Sequence, residues 1–136
     1  MGAMGLWLMF RRPFRVAVEG QSMAPALEPG DFLIAARSGL MRRGALVVVE
    51  HPGRPGYEMV KRLAGMPGDE VGGAPLGADR FWILGDDPEA STDSRAFGAV
   101  SRDAIRGVVL FRYWPPSRIG PVGRSSSTRH RCSPSP

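Results

Sequence analysis

Short apolar runs, each closed by glycine or proline, govern what this chain can fold into. Phe14, Val16 and Val18 alternate with Arg15, Ala17 and Glu19, the period-two pattern of a half-buried strand. Further strands are expected over 32–36, 45–50, 58–64, 80–84 and 105–113. Breakers separate them: Pro29-Gly30, suited to the centre of a type II turn, the run from His51 to Gly56, and Met66-Pro67-Gly68-Asp69. A single turn near residues 101–104 is the only candidate helix. Eighteen glycines and thirteen prolines spread this way predict an all-β domain, a compact barrel or sandwich of short, mostly antiparallel strands. The 136 residues suit one such domain, expected over 14–116, after an apolar segment over 1–13. The Pro-, Ser- and Arg-rich end, 117–136, lacks the apolar surface to order itself and reads as a disordered basic tail. Removing 118–136 is accordingly expected to leave function intact.

Charge excludes one class of partner. The net charge is +5, but Arg118, Arg124, Arg129 and Arg131 stand in the last twenty residues, which hold no acid. The remaining domain is nearly neutral, without the basic face of a nucleic-acid binder. The single cysteine, Cys132, and two histidines, His51 and His130, rule out a disulfide framework and argue against a dedicated zinc site. The acids around Asp86, Asp87, Glu89 and Asp93 do not follow the calcium-loop spacing. No metal or cofactor is expected.

Lys61 stands out because every other cation is arginine. Arginine keeps its proton in proteins, whereas a desolvated lysine can become a neutral base. Alternation puts Met59, Lys61 and Leu63 on one strand face, with Val60, Arg62 and Ala64 on the other. Apolar neighbours on its own side would lower the lysine pKa towards the range of a general base. Ser22 supplies a partner, since it follows a strand that ends at Gly20 and precedes a proline turn. A serine there can offer its hydroxyl to a cleft and its N–H to an oxyanion, and an amine beside a hydroxyl is a complete nucleophile–base pair. Two plainer readings compete: a turn serine satisfying local backbone, and a lysine snorkelling to water. The stretch also fails the nucleophile-elbow pattern, because residue 24 is alanine.

Three separated segments resemble the type I signal peptidase family of serine–lysine endopeptidases. They are Gly20-Gln21-Ser22-Met23-Ala24-Pro25, then Val60-Lys61-Arg62-Leu63-Ala64-Gly65-Met66-Pro67-Gly68-Asp69, then Gly85-Asp86 through Asp93-Ser94-Arg95 to Gly98. The resemblance implies Ser22 as nucleophile, Lys61 as general base and Ser91 as the serine that orients the lysine amine. It implies Asp86, Asp93 and Arg95 as structural residues near the site, the last two as a pair bracing its loop. It makes 14–116 the peptidase domain and a leader-bearing protein, bound as an extended strand with small side chains in shallow pockets, the substrate. Position 87 is Asp where the family usually has Asn, and Gly20 stands where some members carry a serine that helps to form the oxyanion hole. Only residues 70–84 separate the second and third segments, too few for the large extra β domain of many bacterial members.

The chain looks most like the small maturation peptidases that remove a leader from nickel-type superoxide dismutase. Ten apolar residues, 1–10, would span about 15 Å as a helix, half a bilayer's hydrocarbon, so a membrane-spanning anchor is not expected there. Leu6, Trp7, Met9 and Phe10 ahead of Arg11 and Arg12 suit peripheral contact with a membrane interface through residues 1–12. The expected location is cytoplasmic. Rival readings are a general signal peptidase, a hydrolase built on Ser22, His51 and an aspartate, a self-cleaving repressor-type peptidase and a non-catalytic β-barrel peptide-binding module.

Overall fold

The computed structural model describes residues 13–20, 23–37 and 41–122. Six strands stand where the sequence leads one to expect them: β1 (Pro13–Ala17), β2 (Phe32–Ala36), β3 (Leu46–Glu50), β4 (Glu58–Gly65), β7 (Arg80–Leu84) and β9 (Ile105–Trp114). With the short β8 (Val100–Ser101) they form one curled sheet in the order β1-β2-β9-β3-β4-β7-β8, antiparallel throughout. The fold is all-β.

The run Leu46-Val47-Val48-Val49 shows why the sheet has two cores. All four side chains are fully buried, the signature of a strand covered on both faces. Leu46 and Val48 pack with Val18, Met23, Leu27, Leu33 and Val109 on one side. Val47 and Val49 pack with Met59, Leu63, Phe81, Ile83 and Val108 on the other. Burying each valine contributes on the order of 1.5–3 kcal/mol, so this strand anchors the domain. Gly107, opposite Val48 on β9, lets β2 and β1 close in. A Cβ there would stand 2.6 Å from the Ala36 carbonyl oxygen and 2.8 Å from the Phe14 ring. The expected type II turn is present, with Gly30 at φ 93° and the Asp31 N–H donating to the Glu28 carbonyl at 3.0 Å.

Two local elements go beyond the sequence reading. Residues 70–84 hold a two-stranded hairpin, β5 (Glu70–Val71) and β6 (Ala74–Pro75), turned by Gly72 and Gly73, both at positive φ. A Gly-Gly pair supplies the two left-handed residues that such a tight turn requires. The expected turn at 101–104 is a 3-10 turn over Arg102–Ala104, but it is not the only helical piece. One α-helical turn, α1 (Ser94–Phe97), starts at an Asp93 cap and ends at Gly98, φ 85°.

The described contacts run past the boundary expected at 117, as far as residue 122. Beyond Trp114 the chain makes a 3-10 turn, Pro116–Arg118, and pairs Gly120 with Arg112 through two backbone hydrogen bonds. Val122 is buried in the first core, and Arg118 pairs with the buried Asp31. One valine and one arginine were enough to dock a segment whose average composition is polar. Residues 123–136 lie outside the described residues. Ending the chain after residue 122 keeps both Val122 and Arg118. Ending it after residue 117 strips the burial of Val122, about 1.5 kcal/mol, and one partner of Asp31. Calorimetry should then show a midpoint lower by roughly 5–10 °C.

Candidate active site

The site begins with the alternation of β4. Lys61 points to the same side as Val47, its cross-strand partner, and is only 3% exposed. Its Nζ donates to Ser91 Oγ at 3.1 Å. Ser91 Oγ in turn donates to Asp93 Oδ2 at 2.7 Å. The serine proton is thus committed to the carboxylate, and Ser91 meets the lysine only as an acceptor. That fixes the direction of one N–H and leaves the rest of the amine to face elsewhere.

Asp93 is the hub. It is 1% exposed and also accepts from the Gly85 and Arg95 backbone N–H groups, at 2.8 and 3.1 Å. Arg95 closes a fork on it through Nε at 3.0 Å and Nη2. Burial alone would raise the Asp93 pKa, but Arg95, the Gly85 N–H and the Ser91 hydroxyl overcome it and hold the carboxyl well below its usual range. For Lys61 the balance runs the other way. Burial pushes the amine below the ordinary lysine value, the Asp93 charge opposes this in part, and Arg95 adds to the lowering.

Lys61 opens on a cleft of about 480 Å³. The cleft is lined by Arg15 to Gly20, in and just after β1, by Tyr57 to Lys61, and by Met23, Ala90 and Thr92. Ser22 lies outside the described residues. The nearest described residues on either side of it, Gly20 and Met23, both line the cleft that Lys61 lines. Gly20 has φ 77°, which L side chains adopt only under strain, so a serine donor at this position would not be accommodated without cost.

Asp86 is not drawn into the Lys61–Ser91 chain. It receives Arg62 Nε and Nη2 at 2.9 and 2.7 Å, while Arg62 Nη1 donates to the Gly44 carbonyl at 2.8 Å. Arg62 is the next residue after the lysine and points to the opposite face of β4, so Asp86 braces the strand from behind. Asp87 caps the 3-10 turn Pro88–Ala90 by accepting from the Glu89 N–H at 3.2 Å, a task that asparagine performs equally well. His51 accepts from the Gly53 N–H through Nδ1 at 2.9 Å and packs on Tyr57 and Phe97. That nitrogen is occupied by backbone rather than by a carboxylate, which removes the orienting bond that a serine–histidine–aspartate arrangement needs. Among the described residues no group of His, Cys, Asp or Glu side chains could hold a metal ion, and no helix is long and apolar enough to cross a membrane.

Sequence reasoning missed Ser94 and Asp31. Ser94 Oγ accepts from the Ile83 N–H at 3.0 Å and ties α1 to β7. Asp31 is 2% exposed between Arg112 and Arg118. The capping pattern from Asp93 to Gly98 was a usable signal for the first; nothing in the local pattern marks Asp31 as buried.

A family profile described as signal peptidase, peptidase S26, matches residues 2–74 and 72–114. The mitochondrial inner membrane protease subunit 1 of Homo sapiens is 31% identical over 87% of this chain and 79% of its own length. The mitochondrial ATP-independent inner membrane protease subunit 1a of Arabidopsis thaliana is 38% identical over 76% and 71%. Signal peptidase IB of Staphylococcus aureus is 28% identical over 72% and 76%.

Proposed function

The chain belongs to the signal peptidase family, and from that premise we propose that it is a serine endopeptidase working through a Ser22–Lys61 dyad. One observation carries the dyad reading. A buried lysine faces a cleft, and its amine is oriented by a serine whose own proton is tied to a buried carboxylate. Ser22 Oγ attacks the scissile carbonyl while neutral Lys61 takes its proton. The Ser22 N–H, with no side-chain donor at Gly20, stabilises the oxyanion. Lys61 then protonates the leaving amine, and as the base again it activates the water that hydrolyses the acyl-enzyme. Ser91→Ala should lower kcat on the order of 100-fold with KM little changed, because it misdirects the base without touching the peptide. Steady-state kinetics on a leader peptide reads this, and a change confined to KM would move Ser91 into substrate binding.

The substrate would be an extended segment laid in the cleft. Among the described residues β1 pairs only with β2, and residues 58–61 of β4 pair only with β3, since β7 joins β4 from Arg62 onward. Two free edges running in the same direction line one cleft, and a peptide added as a strand can pair with both. For its identity we propose the leader of nickel-type superoxide dismutase, supported by the compact 70–84 connection, which is only a small hairpin, and by the Asp-Ser-Arg-Ala-Phe-Gly segment. A second reading, processing of preproteins at a membrane, is favoured by relatives named as inner membrane proteases and signal peptidase. Membrane contact is proposed through residues 1–12, which lie outside the described residues; the dismutase reading keeps the catalytic domain on the cytoplasmic side, whereas preprotein processing needs it on the opposite face.

The experiment offers the purified chain a leader-bearing nickel dismutase precursor and an exported preprotein, and identifies products by mass spectrometry. Cleavage of the dismutase leader is expected. Cleavage of the preprotein alone would establish the second reading, and cleavage of neither would leave a peptide-binding module.

A further inference from the structure

The loop that follows Ser22 is held by an ion cluster centred on buried Asp31, which shares no member with the Lys61–Ser91–Asp93 chain. Asp31, 2% exposed, accepts from Arg112 Nη1 at 3.0 Å, from Arg118 Nη1 at 3.2 Å and from the Glu28 N–H at 2.9 Å. Arg112 Nη1 also donates to the Ala26 carbonyl at 3.0 Å, and its Nε donates to the Arg118 carbonyl at 2.6 Å. The Asp31 carbonyl accepts from the Val18 N–H, and the Val18 carbonyl accepts from the Gly30 N–H. Within the loop the Leu27 N–H donates to the Met23 carbonyl at 2.9 Å. Met23 and Leu27 are buried in the same cluster as Val18 and Val122.

Three parts of the chain therefore converge on residues 23–31: the end of β1, the end of β9 and the segment after Trp114. Replacing a buried ion cluster by apolar side chains is often neutral or stabilising, so bulk stability is a weak reason for two arginines to meet one carboxylate here. Directed hydrogen bonds to Ala26 and Asp31 define a geometry that apolar packing would leave free. Met23, the residue after Ser22, lines the catalytic cleft and hangs on that geometry.

We infer that Asp31, Arg112 and Arg118 are positioning residues that hold the nucleophile's loop in register with Lys61, so the C-terminal segment takes part in setting the active site. The inference deepens the serine–lysine reading and rests on it. Arg118 is the residue to test, because its side chain is partly exposed and its removal leaves Arg112 on Asp31. In the full chain, Arg118→Ala should lower kcat about tenfold, leave KM within twofold and leave the pH midpoint of the rate unchanged. Arg118→Lys should restore most of the loss. Amide hydrogen exchange, which needs no substrate, should show Leu27 and Asp31 exchanging about tenfold faster while the β4 amides keep their protection. Wild-type kcat together with wild-type exchange in Arg118→Ala would overturn the inference. So would faster exchange throughout the sheet with kcat and melting temperature falling together, since that marks a plain stability element. Ser22→Ala separates the two layers: if it cleaves like the wild type, the dyad reading falls and the exchange result alone decides the role of the cluster.

Discussion

Lys61→Arg should be as inactive as Ser22→Ala, a loss of at least about 10²–10⁴ in turnover. The guanidinium keeps the positive charge and much of the length, yet it has no lone pair to accept the serine proton at any accessible pH. The wild-type rate should rise with pH along one ionisation, because only the neutral amine works, and reach its half-maximum below 10.5, the ordinary lysine value. Burial sets that direction, with Asp93 pulling the midpoint back upward and Arg95 lowering it further. The same shift carries a stability consequence. In the unfolded chain the amine holds its proton up to about its ordinary value, whereas the native amine gives it up earlier. The unfolded state therefore binds more protons between the two values, and stability rises with pH across that window. Below it the site is a burden on the fold, so Lys61→Met should be dead yet at least as stable as the wild type near neutral pH. Kinetics on a leader peptide and urea unfolding of the same samples test both halves. A working Lys61→Arg would reduce Lys61 to a structural cation.

How much of this was legible follows from which forces are local. The strands could be read because β1, β3 and β4 carry their burial pattern in their own residues: Phe14, Val16 and Val18 alternate, and Leu46 to Val49 do not. The face of Lys61 follows from the same alternation. The turn at Gly72-Gly73 carried a signal that the reading left unused. The docking of Arg118 and Val122 and the burial of Asp31 were hidden for a different reason. They depend on contacts with partners 81 to 87 residues away along the chain, and no window around Asp31 contains Arg112 or Arg118. The link between Lys61 and Ser91, thirty residues apart, is equally non-local. It became readable only through resemblance, since composition and periodicity do not pair a strand lysine with a loop serine.

Asp93→Ala should be the most destabilising change at the site. The carboxylate is 1% exposed and gathers the Gly85 N–H, the Ser91 hydroxyl, the Arg95 N–H and the Arg95 guanidinium. Alanine leaves the Gly85 N–H and the Ser91 hydroxyl without an acceptor inside the fold, at about 1–3 kcal/mol for each buried group left unpaired. Arg95 is 44% exposed and can turn to water, which limits its share. A net loss of about 2–4 kcal/mol in urea unfolding at neutral pH is the expected result. Its pH dependence distinguishes the charge from the shape. The native carboxyl is held well below 3.8, so its contribution is fully present above about 3.8 and fades as pH falls towards the native value. The gap between wild type and Asp93→Ala should therefore narrow as pH is lowered from 4, while a gap that stayed constant would assign the loss to packing. Asp93→Asn sharpens the point, because its amide keeps the size but turns one acceptor into a donor facing Arg95 or the Gly85 N–H. Alanine removes and asparagine weakens the bond that holds the Ser91 hydroxyl, so the acceptor that directs the lysine is no longer fixed. Turnover measured on the folded fraction should then fall as it does in Ser91→Ala, which would place the serine and the aspartate in one chain of command over Lys61.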